Sequence, residues 1–205
     1  AKDLLEKTDS LTHGDIFVRD RQTSTTERVS VAFGGGEPDD SSWQHAISAD
    51  GRFVAFASSA KNLLSTTDST SNYDIFLYDR KLNTTERVSV KYGTEQDEPN
   101  DDSYSPSLSA DGRYILFFSG ATDLLADGQD TNGGMDAFVR DRVAKTTERV
   151  SVNSNGEEQL TPEFGYSGGI SADGRYVAFI SSSTNLVPSD NNGIRDFFRR
   201  DRQTG

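Results

Sequence analysis

Apolar and polar residues alternate along this chain in short runs, with no stripe at helical spacing. Phe53-Val54-Ala55-Phe56, Tyr114-Ile115-Leu116-Phe117 and Tyr176-Val177-Ala178-Phe179 are apolar at consecutive positions, as a strand covered on both faces requires. Each run follows Ser-Ala-Asp-Gly-Arg, beginning at Ser48, Ser109 and Ser171, and Asp-Gly between two strand-like runs is a strong hairpin signal. Downstream comes an Asp-x-Phe segment, at Asp15 to Asp20, Asp74 to Asp79, Asp136 to Asp141 and Asp196 to Asp201. Thr-Thr-Glu-Arg-Val-Ser-Val then occurs at Thr25 to Val31, Thr84 to Val90 and Thr146 to Val152.

The order of these segments never changes, so the chain is an array of repeats of roughly sixty residues, a period that belongs to repeat architectures. Each unit predicts four antiparallel strands, A to D. Strand A is Trp43 to Ser48, Tyr104 to Ser109 and Tyr166 to Ser171, and B is the apolar run. Strand C is Asp-x-Phe. Strand D is Glu-Arg-Val-Ser-Val, where Arg and Ser alternate with Val as on a half-buried outer strand. The expected fold is all-β, with four-stranded blades arranged radially, A innermost and D outermost.

With its Ser-x-Asp-Gly-Arg turn before an aliphatic-aromatic strand (Ser48, Asp50, Gly51, Arg52 and Phe56, and their equivalents from Ser109 to Phe117 and Ser171 to Phe179), the chain resembles the TolB-like, WD-like propeller repeat over nearly its whole length. The resemblance implies a bacterial periplasmic or secreted setting and a non-enzymatic binding or protein-interaction role. The loops joining B to C and D to A are longer here than in a typical blade of that family.

Strand C occurs four times but A, B and D three times each. Residues 1–205 therefore read as one propeller region: a partial blade at 1–31, blades at 32–90 and 91–152, and a blade lacking its last strand at 153–205. The ring is incomplete, which is expected of a segment of a longer propeller; closure by a second copy and an open stack are the alternatives.

Only 33% of residues are hydrophobic, but twelve Phe supply a modest core. There is no Cys, which excludes disulfides and thiolate metal sites. No apolar run reaches the roughly 18 residues of a membrane-spanning helix, so no membrane insertion is expected. The net charge of −12 argues against nucleic acid, whose phosphates need Lys and Arg. In a propeller the D-to-A and B-to-C connections share one face, and essentially all the net negative charge falls there, notably at Asp97, Glu98, Asp101, Asp102, Glu157 and Glu158. Such a one-sided field suits a cation or a basic protein partner, or simply a solvated loop face.

Two B-to-C loops carry Asp-x-Asn-x-x-x-Asp, at Asp130/Asn132/Asp136 and Asp190/Asn192/Asp196, with weaker versions at Asp68/Thr70/Asp74 and Asp9/Leu11/Asp15. Clustered hard oxygen donors make calcium the metal to expect, if any; the competing reading is that these residues close Asx turns before strand C. Gly165-Tyr166-Ser167-Gly168-Gly169 matches a hydrolase nucleophile pattern, but it opens a strand A and no His follows it, so no catalytic residue is expected. His13 and His45 are isolated, and Gly34-Gly35-Gly36 lacks the Lys of a phosphate loop. The Asp-Arg pairs and Arg28, Arg87 and Arg149 recur in each unit, which favours structural ion pairing. The rival functional reading is an accessory propeller of a larger hydrolase, such as a peptidase, with its catalytic domain elsewhere.

Overall fold

The computed structural model describes residues 13–66, 69–160 and 167–205. Its thirteen strands lie in four antiparallel sheets, with no helix among the described residues. β1 (Phe17–Asp20) and β2 (Thr25–Arg28) pair alone. The second sheet runs β3 (Ser42–Ile47), β4 (Phe53–Ser58), β5 (Asp74–Asp79), β6 (Thr84–Arg87). The third repeats it with β7 (Ser103–Leu108), β8 (Tyr114–Ser119), β9 (Asp136–Asp141) and β10 (Thr146–Arg149). The last has β11 (Gly168–Ile170), β12 (Tyr176–Ser181) and β13 (Asp196–Asp201). Strands follow sequence order within each sheet. The inner strands β3, β7 and β11 contact one another in turn, so the sheets converge on the A strands without closing a ring.

Why the B segments are apolar at every position is visible in the packing. Ala55 and Ala57 of β4 face Ile115 and Phe117 of the third sheet, while Val54 and Phe56 face Ile16 and Val29 of the first. On β8 the odd positions meet the second sheet, and Leu116 and Phe118 meet Val177 and Phe179 of the last. A period of two between two neighbouring sheets leaves no polar face. Cross-strand ring pairs recur at Phe56/Phe76, Phe117/Phe138 and Phe179/Phe198, with centroids 6.1, 5.8 and 5.8 Å apart.

The Ser-x-Asp-Gly-Arg turn is a lock between strands and between sheets. Ser48 donates from Oγ to Asp50 at 2.6 Å and accepts from the Phe53 amide at 2.9 Å. Arg52 then forks onto Asp79, Nε to Oδ1 at 3.0 Å and Nη2 to Oδ2 at 2.6 Å, and Arg113/Asp141 and Arg175/Asp201 repeat the pair. The next residue on, Arg80, Arg142 or Arg202, reaches a Glu on the outer strand of the preceding sheet, Glu27, Glu86 or Glu148. Glycine is required at the turn twice over. Gly112 and Gly174 have φ of +69° and +73°, and a Cβ there would fall 2.4 Å from Phe53 and 2.1 Å from Tyr114 of the neighbouring sheet.

Strand D departs from its predicted span. The ladder covers Thr-Thr-Glu-Arg and stops before Val-Ser-Val. Val29, Ser30, Val88, Ser89, Val150 and Ser151 are all buried, so Ser does not alternate outward. Its hydroxyl instead accepts from the second amide of the C segment and donates to that segment's leading Asp: Ser89 accepts from Ile75 N at 2.9 Å and donates to Asp74 at 2.8 Å.

Candidate functional site

The third sheet gathers the ligand-like residues of one B-to-C loop. Asp136 opens β9 with a fully buried side chain; its Oδ1 accepts from Ser151 Oγ and its Oδ2 from Asn132 Nδ2 at 2.9 Å. Asn132 spends its own Oδ1 on the Gly134 amide at 2.9 Å, closing an Asx turn. Glu158 arrives from the D-to-A loop, taking hydrogen bonds from Thr131 and, at 2.8 Å, from Arg149 Nη1. The same Nη1 lies 3.5 Å from both Asp130 and Asp136. Asp130 differs from its neighbours: its side chain is 2% exposed, yet no donor reaches its oxygens in good geometry, the Asn132 backbone amide and Arg149 Nη1, at 3.5 Å, being its approaches.

Electrostatics follow from that arrangement. Burial, with the Asp136 charge beside it, pushes the Asp130 carboxyl up to about 6, against the pull of Arg149. Burial also raises Asp136 despite its hydrogen bond from Ser151. For Glu158, burial acts upward, but the hydrogen bonds from Thr131 and the charge of Arg149 outweigh it and hold the group below its usual value. One carboxylate oxygen from each of Asp130, Asp136 and Glu158 lies within 4.8 Å of the others.

The other copies are variations on this cluster. In the first and second sheets Arg28 pairs with Asp15 at 3.3 Å and Arg87 with Asp74 at 3.2 Å; Asp9, Leu11 and Asp68 lie outside the described residues. In the last sheet Asn192 closes the same Asx turn onto Ile194 and its Nδ2 faces Asp196 at 3.4 Å, while Asp190 Oδ2 is buried without a hydrogen bond.

The residues assigned to the acidic face divide into two groups. Asp97 and Glu157 are exposed, although Glu157 accepts from Asn153 Nδ2 at 2.7 Å, and Asp101 is exposed with its Oδ1 on the Asp102 amide. Glu98 staples the preceding loop through Ser69 and Thr70. Asp102 accepts from the Tyr73 amide at 2.7 Å and the Tyr104 hydroxyl at 2.8 Å. Those tyrosines join Trp43 in an aromatic cluster with centroids 5.3 to 6.1 Å apart, on the same loop face. Trp43 is 44% exposed. Beside it β3 and β7 each bulge through a non-glycine residue at positive φ, Gln44 at 45° and Ser105 at 51°, and Gln44 Oε1 accepts from the Ser105 amide.

Sequence reasoning did not find this cluster, although an aromatic residue begins every predicted strand A. Ser167 is exposed just before β11, His13 lies 3.5 Å from Asp40, and His45 is exposed on β3. Tyr166 lies outside the described residues.

Searches of protein families and of curated proteins find no match. Among solved structures, TolB from Acinetobacter baumannii is similar at 18% identity and a TM-score of 0.50, covering 93% of this chain and 36% of that one. The tricorn protease is similar at 15% identity and a TM-score of 0.47, covering 90% of this chain and 14% of the protease. The β-propeller domain of the trilobed protease from Pyrococcus furiosus has 16% identity and a TM-score of 0.46, over 79% of this chain and 39% of that one. The chain thus spans about a third of the length of the TolB it matches, and its fold is that of an incomplete TolB-like β-propeller.

Proposed function

We propose that this chain is a non-enzymatic binding module whose ligand face is the acidic loop face, and that its partner is a basic protein segment. One observation carries the reading: the Trp43/Tyr73/Tyr104 cluster sits where two inner strands meet that face, within the field of the exposed acidic loops. Aromatic faces with surrounding negative charge favour Arg and Lys, through cation–π contact and long-range attraction. The family resemblance supports an envelope or secreted setting, and among the described residues no helix is long and apolar enough to cross a membrane.

Trp43 is the single tryptophan of the chain, so its fluorescence reports on the site. Titration with a synthetic peptide rich in Arg and Lys is expected to change Trp43 emission, weakening as salt rises. An acidic peptide of equal length is expected to leave it unchanged. Equal responses to both, or none to either, would reject the basic-partner reading.

A further inference from the structure

The buried cluster of the third sheet calls for a positive charge beyond the one it holds. Ionised, Asp130, Asp136 and Glu158 carry three negative charges around one guanidinium, that of Arg149. A net of about −2 away from water is costly. Asp136 and Glu158 spend oxygens on Ser151, Asn132, Thr131 and Arg149. Both oxygens of Asp130 are shielded from water and lack a hydrogen bond of good geometry. A buried carboxylate held only by a distant guanidinium and a loosely placed backbone amide keeps ligand capacity to spare.

We propose that this cluster is a calcium site in which Asp130, Asp136 and Glu158 are the protein ligands and Arg149 is the resident counter-charge. Oxygens on opposite sides of one Ca²⁺ stand about 5 Å apart, given bonds of ~2.3–2.6 Å, so the observed spread within 4.8 Å fits a single ion once the Arg149 side chain, whose Nη1 lies 2.8 to 3.5 Å from the same three carboxylates, swings aside to pair with their outer oxygens. The charges then sum to zero. Calcium is preferred to magnesium because three carboxylates fixed by two loops and a strand suit an irregular shell, whereas Mg²⁺ demands near-octahedral geometry and keeps its waters. The Asn132 amide nitrogen faces Asp136, so Asn132 orients this ligand. The site is independent of the basic-partner reading, because its carboxylates point inward.

Calorimetry of the chelator-treated full chain with CaCl₂ tests this, with MgCl₂ as a second arm. The expected result is one calcium bound per chain with a Kd of ~10⁻³ M or tighter, a rise in Tm on binding, and weaker binding of magnesium. Asp130→Asn and Glu158→Gln should each weaken calcium at least tenfold, whereas Glu157→Gln, one residue away and exposed, should not. Circular dichroism checks folding, and the Asn variant, isosteric and free of a buried like charge, is expected to fold. No binding at millimolar calcium, magnesium bound as tightly as calcium, or undiminished binding in both ligand variants would overturn the proposal.

Discussion

The third sheet and the last are built from nearly the same sequence and end in different states. β9 is buried at every position, whereas β13, its counterpart, alternates between exposed and half-buried, with Phe197 82% exposed. Among the described residues β9 has an outer strand paired beside it and β13 has none. β10 and the Val-Ser that follows it lay Arg149 and Ser151 against Asp136, and β10 pairs with the Phe138 strand. Beside β13 there is an open groove of about 640 Å³, lined by Val187, Asp190, Asn192, Asp196 and Phe197 among others. An outer strand in this fold is therefore the element that buries the C strand and neutralises its leading Asp.

Truncating the matched aromatic residues should give the largest contrast. Phe138→Ala, in a fully buried position, is expected to cost ~3–5 kcal/mol, and Phe198→Ala, half-buried on β13, less than half of that, as read by urea denaturation. Ser151→Ala comes next. It leaves Asp136 and the Ala137 amide without their shared hydroxyl, an expected loss of about 1–3 kcal/mol, whereas no such bond supports Asp196 and a polar change there should cost less.

The contrast can also be reduced by supplying what β13 lacks. A peptide Thr-Thr-Glu-Arg-Val-Ser-Val, copied from Thr146 to Val152, is expected to add to the open edge by strand pairing. At tenfold excess over its Kd it would stabilise the chain by ~1.4 kcal/mol, and Arg→Ala within the peptide should weaken it. Hydrogen exchange localises the effect: protection of β13 amides is expected, and protection elsewhere would refute the pairing.

The smallest effect concerns a feature common to both sheets. Hydrogen bonds from Arg113 and Arg175 hold Asp141 and Asp201 well below the usual carboxylate range. Because the folded-state pKa is depressed, the contribution is complete above the unfolded value, about 4, and is lost as pH falls through the folded one. Asp141→Asn should therefore reduce stability at neutral pH and converge with the parent in acid. A difference that stays constant as pH falls from neutral into the acid range would assign the loss to packing.

Much of this was legible in the sequence because a sixfold-residue signal, repeated three or four times, is hard to mistake. The strand order, the inner A strand and the Asp-Gly turns all follow from segments that recur in a fixed order. Strand D was placed two residues late because Arg-Val-Ser-Val alternates by residue type; Ser89 and Ser151 are buried as hydrogen-bond links to Asp74 and Asp136, which alternation does not reveal. Glu158 was counted with the face charge, since only the third dimension turns it toward Asp130. Arg149 was correctly read as part of a recurring set, but its carboxylate partners come from different loops. The Trp43/Tyr73/Tyr104 cluster draws on two sheets and was missed for the same reason.

The arginines that follow the C strands, Arg80, Arg142 and Arg202, each grip a glutamate on the preceding sheet, and two of them also stack on an aromatic ring there. The second and third sheets thereby each carry a plug on one flank and a matching socket on the other. The interface is directional and the same at each step, so a duplicated unit would arrive already fitted to both neighbours. Blade number in such a molecule can change by whole units of sequence without any new contact having to be invented.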